Sequence, residues 1–163
     1  MVIGMKKIVC LIGFVTIVAL MLASCGGLSN NELKKISEEY KKSLEGLCEQ
    51  YGLADAEIEV GSSFSTRDSD LNMYVESASV RCEKFNDLSA EKAFEFAKTF
   101  YYLDNSYKTN ESKVSFTTAI YGKNEDRYTY ETKNSSSGNF EYLMKYNNAA
   151  VTYKDGKLIY NDF

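Results

Sequence analysis

Cys48 and Cys82 are the residues whose type and spacing most readily do chemistry. In an oxidising compartment two such thiols are expected to form a disulfide. Closing a loop of about 34 residues would stabilise the fold by ~3 to 4 kcal/mol in the chain-entropy model. Two buried free thiols are the alternative that the sequence leaves open. We predict no metal at this pair, because the chain contains no histidine to complete a ligand set.

A serine and two glutamates near the start of a predicted helix are the candidates for catalysis. Ser89 and Lys92 have the Ser-x-x-Lys spacing that places a nucleophile beside its base. Glu91 and Glu95 lie one helical turn apart, where a cleft could make one an acid and the other a base. The companion motifs Ser-Asp-Asn and Lys-Thr-Gly are missing from the sequence. We therefore interpret Ser89 as a helix cap and the glutamates as a charged outer face, and we predict no catalytic residue.

Oxygen-bearing side chains follow one another at the spacing of a calcium loop. Asp68, Asp70 and Asn72 hold positions 1, 3 and 5, but Met73 stands where glycine is needed and Ser79 where a bidentate glutamate belongs. We interpret the segment as a solvated turn between strands. The sequence thus predicts no metal and no cofactor.

Tyrosine is the abundant residue that could form a binding surface. The chain has 13 tyrosines and no tryptophan, and aromatic rows on an open sheet face can hold a sugar or an extended peptide. Packing between the sheet and its helices is the other interpretation, because strands favour tyrosine in any setting. The candidate surface comprises Tyr121, Tyr128, Tyr130, Tyr142, Tyr146 and Tyr153, with Tyr160 beside them.

Two predicted helices must help to position these residues. Between residues 31 and 51 apolar side chains recur every three or four positions, which predicts an amphipathic helix. Its apolar stripe consists of Leu33, Ile36, Tyr40, Leu44, Leu47 and Tyr51. The second helix begins after Ser89 and has a wide apolar face that extends to Tyr101.

Alternating apolar residues predict the strands. The candidates cover residues 57–63, 71–82, 114–120, 128–132, 150–153 and 158–160. Residues 140–146 fit a strand slightly better than a helix, and Asp155-Gly156 predicts a tight hairpin turn. Within 71–82 the apolar phase changes between Val75 and Ala78, which predicts a bulge. The order of elements predicts an α+β fold, with two helices packed on one face of a mainly antiparallel sheet, preceded by a cleavable signal helix.

The start of the chain has the three-part organisation of an export signal. The basic pair Lys6-Lys7 precedes an uncharged apolar run from Ile8 to Leu22, and the small residues Ala23-Ser24 follow. The run of about fifteen residues would form roughly 22 Å of helix, shorter than the ~30 Å hydrocarbon core of a bilayer. A cleaved signal therefore fits better than a permanent span.

Leu22-Ala23-Ser24-Cys25 resembles the lipobox of bacterial lipoproteins. The resemblance implies diacylglycerol on Cys25, cleavage after Ser24, and attachment to the outside of a bacterial membrane, either the cell membrane or the outer membrane. It covers the signal alone, and an ordinary secreted protein or an uncleaved anchor stays open. We predict a signal peptide over residues 1–24, a lipid-anchored tether over 25–30 and a single domain over 31–163.

The mature chain is acidic. Removal of Lys6 and Lys7 from the 19 basic residues leaves 17 against 23 acidic ones, a formal charge of −6. We expect no binding to nucleic acid and none to anionic lipid, so the lipid on Cys25 is the predicted membrane contact. We predict a non-catalytic binding module whose partner is an envelope protein, peptide or glycan. A small envelope enzyme that uses carboxylates and an accessory component of an envelope or transport complex are the alternatives.

Overall fold

A computed structural model describes residues 28–61, 66–68, 73–107 and 114–161. The predicted signal peptide, the lipobox and Cys25 lie outside these ranges, as do residues 69–72 of the calcium-like segment. The described chain forms two α-helices and an eight-stranded sheet, which confirms the α+β class. Neither helix in these ranges has the length and apolar character needed to cross a bilayer.

The elements follow one another in the order predicted, with three short additions. The helices are α1 (Asn30–Gln50) and α2 (Ala90–Tyr107). The strands are β1 (Glu57–Val60), β2 (Thr66–Asp68), β3 (Met73–Arg81), β4 (Val114–Tyr121), β5 (Arg127–Ser135), β6 (Gly138–Lys145), β7 (Asn148–Lys154) and β8 (Lys157–Tyr160). The additions are strand β2 and two 3₁₀ helices, Glu83–Asp87 before α2 and Lys123–Glu125 before β5. Residues 140–146, which were ambiguous in the sequence, lie almost entirely in strand β6.

Helix α1 begins with a capping box. The backbone N–H of Glu32 donates to Ser29 Oγ at 3.3 Å, and the Glu32 carboxylate accepts from the backbone N–H of Ser29 at 2.8 Å. The predicted stripe is buried from Leu33 to Leu47, and Cys48 is buried with it. The predicted helix over 31–51 is confirmed, with each end displaced by one residue.

Helix α2 is capped at Ser89, as the sequence indicated. The backbone N–H of Lys92 donates to Ser89 Oγ at 3.3 Å. The apolar face of α2 is buried, including Phe94, Phe96 and Phe100. The serine of the Ser-x-x-Lys pattern therefore has a structural role at the start of this helix.

The sheet has the strand order β1-β3-β4-β5-β6-β7-β8, with β2 also paired to β3. Neighbouring strands are antiparallel, except that β3 and β4 are parallel because α2 connects them as a crossover. Both helices pack on the same face. The ring of Tyr40 on α1 stacks on Phe116 of β4, and Phe94 on α2 meets Tyr130 of β5 edge to face.

Strand β3 keeps an unbroken register with β4 from Tyr74 to Arg81, so the bulge predicted in this segment is wrong. Its helix-facing side carries Glu76, Ala78 and Val80, all of them buried. The apolar phase breaks because a glutamate occupies a core position.

The irregularity lies instead in the neighbouring edge of the sheet. Strand β1 ends at Val60, which is paired with Ala78, and β2 begins at Thr66, which is paired with Val75. The edge strand is thus interrupted beside Glu76.

Candidate functional site

Half of the predicted tyrosine surface lies under the helices. Tyr128 and Tyr130 are buried, and Tyr153 packs partly buried with its ring centroid 6.1 Å from that of Phe94. The hydroxyl of Tyr128 accepts a hydrogen bond of 2.9 Å from Asn86 Nδ2. Burial, followed by the neighbouring Glu141, raises the pKa of Tyr130. Tyr128 and Tyr130 belong to the hydrophobic core, and Tyr153 packs against it.

The other predicted tyrosines are divided among separate places. Register puts Tyr121 and Tyr142 on the face of the sheet opposite the helices. Tyr146 lies in the turn after β6, is 53% exposed and donates to Asp126 Oδ1 at 2.9 Å. Tyr160 is paired with Val151 on the helix side of the sheet but is 56% exposed. The tyrosines therefore do not form one continuous surface.

A smaller aromatic surface remains on the open face of β5 to β8. Phe140 and Tyr142 stack with their ring centroids 6.2 Å apart and an interplanar angle of 10°. Lys154 Nζ lies 4.9 Å from the centroid of Phe140. We call this surface the open strip, and it consists of Phe140, Tyr142, Ile159, Lys133, Lys154 and Lys157.

The open strip is mainly basic and apolar in an otherwise acidic protein. Lys133 and Lys154 flank Phe140 on the two neighbouring strands, and Lys157 follows on β8. Glu131 is paired with Tyr142, and Asp155 lies in the turn between β7 and β8. Three lysines and two carboxylates thus surround flat aromatic rings.

The cysteine pair is present as free thiols. Cys48 and Cys82 are both buried, and no bond joins their sulfurs in the structure. Burial, with the proximity of Cys82 as the second cause, raises the pKa of Cys48 to about 12. The sulfur of Cys82 lies 3.8 Å from Asp55 Oδ1. The two thiols are neighbours, and a disulfide in the exported protein stays a prediction.

The carboxylates considered for catalysis do not meet in a cleft. Glu91 and Glu95 are both exposed on the outer side of α2. This position matches the charged outer face that the sequence suggested. The groups that are better suited to bind a ligand lie in other parts of the structure.

A groove of about 400 Å³ lies between the first half of α1 and the interrupted edge of the sheet. We call it the α1 groove. Its walls are Asn30, Leu33, Lys34, Ser37, Glu38 and Lys41 from α1, Val60 and Gly61 at the end of β1, and Glu76 from β3.

Glu76 is the buried acid of this groove, with 6% of its surface exposed. Ser37 Oγ donates a 2.6 Å hydrogen bond to Glu76 Oε2, and the same hydroxyl lies 3.0 Å from the carbonyl of Leu33. Gly61 makes room for the carboxylate, because a Cβ at this position would lie 2.7 Å from Glu76 Oε2. The φ angle of Gly61 is +71°, a conformation that glycine adopts without strain.

Sequence reasoning missed Glu76 although the sequence contained a signal for it. The change of apolar phase between Val75 and Ala78 marks the place, and taken alone it predicts a bulge in the backbone. A charged residue in the core phase of a strand is the second explanation of the same pattern. The structure selects that explanation for β3.

Comparison of the chain with protein-family models, with curated proteins and with solved structures finds no match. Within the described ranges, no group of three or more histidine, cysteine, aspartate or glutamate side chains is arranged to hold a metal ion. The open strip and the α1 groove are the two surfaces whose chemistry suits a ligand.

Proposed function

We propose that the protein is a bacterial lipoprotein that acts outside the membrane as a non-catalytic binding module. Residues 1–24 form a signal helix that is cleaved, and diacylglycerol on Cys25 holds the mature chain. The supporting observation is the closeness of the folded chain to the proposed anchor. Leu28 already packs against the core, and its carbonyl accepts a 3.3 Å hydrogen bond from the hydroxyl of Tyr74. Three residues from Cys25 to Leu28 span at most about 11 Å.

Such a tether keeps the domain beside the lipid headgroups, with the first turn of α1 nearest to them. Two or more acyl chains make this attachment essentially permanent, because each buried methylene contributes about 0.8 kcal/mol. The acidic domain itself needs no affinity for the bilayer.

Metabolic labelling with a fatty acid tests the anchor. We expect label in the native protein and none in the Cys25→Ser variant, which should also lose signal cleavage and membrane retention. Cys10→Ser is the matched control, because Cys10 lies inside the predicted signal and should not affect labelling. Label or membrane retention that survives Cys25→Ser contradicts the proposal.

The open strip is the surface through which the module would bind its partner. Phe140 and Tyr142 offer stacked rings on the face without helices, where sugar rings can pack on aromatic groups. Lys133, Lys154 and Lys157 supply positive charge around them. An acidic glycan of the envelope combines both properties, and we propose this class of partner.

Binding to a defined acidic glycan tests the surface. We expect the anchored protein in detergent to bind polygalacturonate more tightly than neutral dextran. The double variant Tyr142→Ala, Lys154→Glu should weaken binding at least about tenfold, the equivalent of ~1.4 kcal/mol. Tyr102→Ala, Lys92→Glu removes an exposed ring and charge from α2 as the control. Equal binding by both double variants would remove the open strip from the proposal.

A further inference from the structure

We propose that the α1 groove is a second binding site and that it recognises the primary ammonium group of a small zwitterion. The ligand class is a molecule with an ammonium group next to a carboxylate or phosphate. A free amino acid and the phosphoethanolamine group of a lipid both have this chemistry. The inference concerns the helix side of the sheet and does not depend on the partner of the open strip.

Glu76 lies buried in the groove without a positively charged partner. A buried carboxylate is unfavourable unless a cation offsets it, and Glu76 has no lysine or arginine paired with it among the described residues. Lys34, on the wall of the same groove, lies 3.9 Å from Glu38, with both side chains more than half exposed. A positively charged ligand in the groove would neutralise Glu76.

The polar atoms beside Glu76 suit an ammonium group better than a metal ion. A metal ion needs more ligands than the Glu76 carboxylate and the Ser37 hydroxyl, and among the described residues no group of three or more acidic, histidine or cysteine side chains could hold one. A primary ammonium has three N–H donors. It can donate to Glu76, and to Ser37 Oγ when that hydroxyl turns its single hydrogen to the carbonyl of Leu33.

The backbone is shaped around the Glu76 carboxylate. β1 ends at Val60, and Gly61 then takes a positive φ while its N–H donates to the carbonyl of Ser77 at 3.0 Å. Because a Cβ at this position would lie 2.7 Å from Glu76 Oε2, glycine is the residue that leaves the carboxylate in its present place. The groove is thus formed by specific residues, and its volume is in the range of small-molecule sites.

The rim of the groove can hold the negative end of the ligand. Lys34 and Lys41 are exposed on α1 two turns apart, and both line the groove. A phosphate or carboxylate at the opening would lie between these ammonium groups while the ligand's own ammonium group reaches Glu76. The arrangement selects a zwitterion over a simple amine.

Calorimetric titration of the anchored protein in detergent tests the site with defined probes. We expect phosphoethanolamine and glycine to bind, ethanolamine to bind about tenfold more weakly, and phosphocholine, which has no N–H on its nitrogen, to bind more weakly still. Glu76→Gln should weaken phosphoethanolamine binding at least about tenfold, whereas the exposed Glu59→Gln should leave it unchanged. Lys41→Gln should weaken phosphoethanolamine and leave ethanolamine unaffected.

Nanodiscs with and without phosphatidylethanolamine identify the source of the ligand. Competition between such nanodiscs and free phosphoethanolamine assigns the groove to a lipid headgroup, and its absence assigns a soluble zwitterion. Glutamine keeps the shape of glutamate, and a thermal melt of Glu76→Gln checks that the variant is folded. If a folded Glu76→Gln protein binds phosphoethanolamine as well as the native one, or if no zwitterion binds, the proposal is overturned.

Discussion

The helix-facing side of the sheet has two regions that are built in opposite ways. Beneath α2, Phe94, Phe96 and Phe100 are buried and fill the space down to the tyrosines of β5. Beneath the first half of α1, the corresponding space contains Glu76 and opens into a groove. The same sheet supports both regions. In this sheet, an interrupted edge strand and a core-phase glutamate accompany the change from a packed layer to a groove.

The largest loss of stability is expected from truncating an aromatic ring in the region packed beneath α2. Phe94 contacts Tyr130 and Tyr153 and is fully buried. Phe94→Ala should lower the free energy of unfolding by about 3–5 kcal/mol, because it removes apolar contacts and leaves a void. Tyr160→Ala, at an exposed ring on β8, should cost less than about 1 kcal/mol. Urea denaturation measures both, and similar losses would mean that the region under α2 is not tightly packed.

A second prediction concerns Gly61, which lies against the Glu76 carboxylate in the α1 groove. Gly61→Ala should destabilise the protein by about 2–3 kcal/mol, since the new methyl group meets the Glu76 carboxylate and the positive φ is unfavourable. Gly52→Ala has a similar positive φ with nothing within 4 Å of the added Cβ, and should cost about 1 kcal/mol. Urea denaturation of the two variants isolates the contact with Glu76. Equal losses would show that Glu76 is free to move away.

The outcome at Glu76 also shows how far the sequence can be used to predict this fold. The stripe from Leu33 to Leu47 predicted α1 because a helix repeats its buried face in every turn, whatever lies opposite. The alternation in β3 predicted a strand but not its buried glutamate, since a local pattern records only a loss of phase. The parallel pairing of β3 with β4 was also absent from the pattern, because a strand's own residues do not identify its neighbour.

The tyrosines illustrate the same limit for the binding surface. Alternation shows that Tyr142 and Leu143 point to opposite faces, but it does not say which face the helices cover. Only the packing of α2 places Tyr128 and Tyr130 in the core and leaves Tyr142 on the open side. The α1 groove was not predictable for a similar reason, because its residues come from α1, β1 and β3.

A third prediction uses the far end of α1, where Cys48 is buried. Burial raises the pKa of Cys48 from its ordinary 9.0 to about 12. The unfolded chain therefore releases this proton first, so the stability from Cys48 is complete below pH 9 and is lost as the pH rises towards 12. Between pH 8 and about 10.5, the free energy of unfolding of the reduced native protein should fall by about 2 kcal/mol more than that of Cys48→Ala. Denaturation at several pH values measures this slope, and parallel curves would place Cys48 in contact with water.

The smallest effect on stability is expected from the removal of single buried tyrosine hydroxyl groups. Tyr40 is fully buried, and its hydroxyl has no hydrogen-bond partner among the residues that the structure describes. Tyr40→Phe should therefore stabilise the protein by about 1 kcal/mol, whereas Tyr128→Phe, which breaks the bond with Asn86, should destabilise it by a similar amount. Thermal melts compare the two. A loss at both positions would indicate a hidden partner for Tyr40.

Because Leu28 packs against the core, the domain can extend only a limited distance from a lipid on Cys25. Helix α1 is 21 residues long, or roughly 31 Å. If lipid holds Cys25, the five residues to Asn30 span at most about 18 Å, and the far end of this helix lies no more than about 50 Å from the bilayer. Molecules deeper in the envelope are then out of reach unless they come to the membrane. The protein would meet partners that are themselves resident at, or delivered to, the membrane surface.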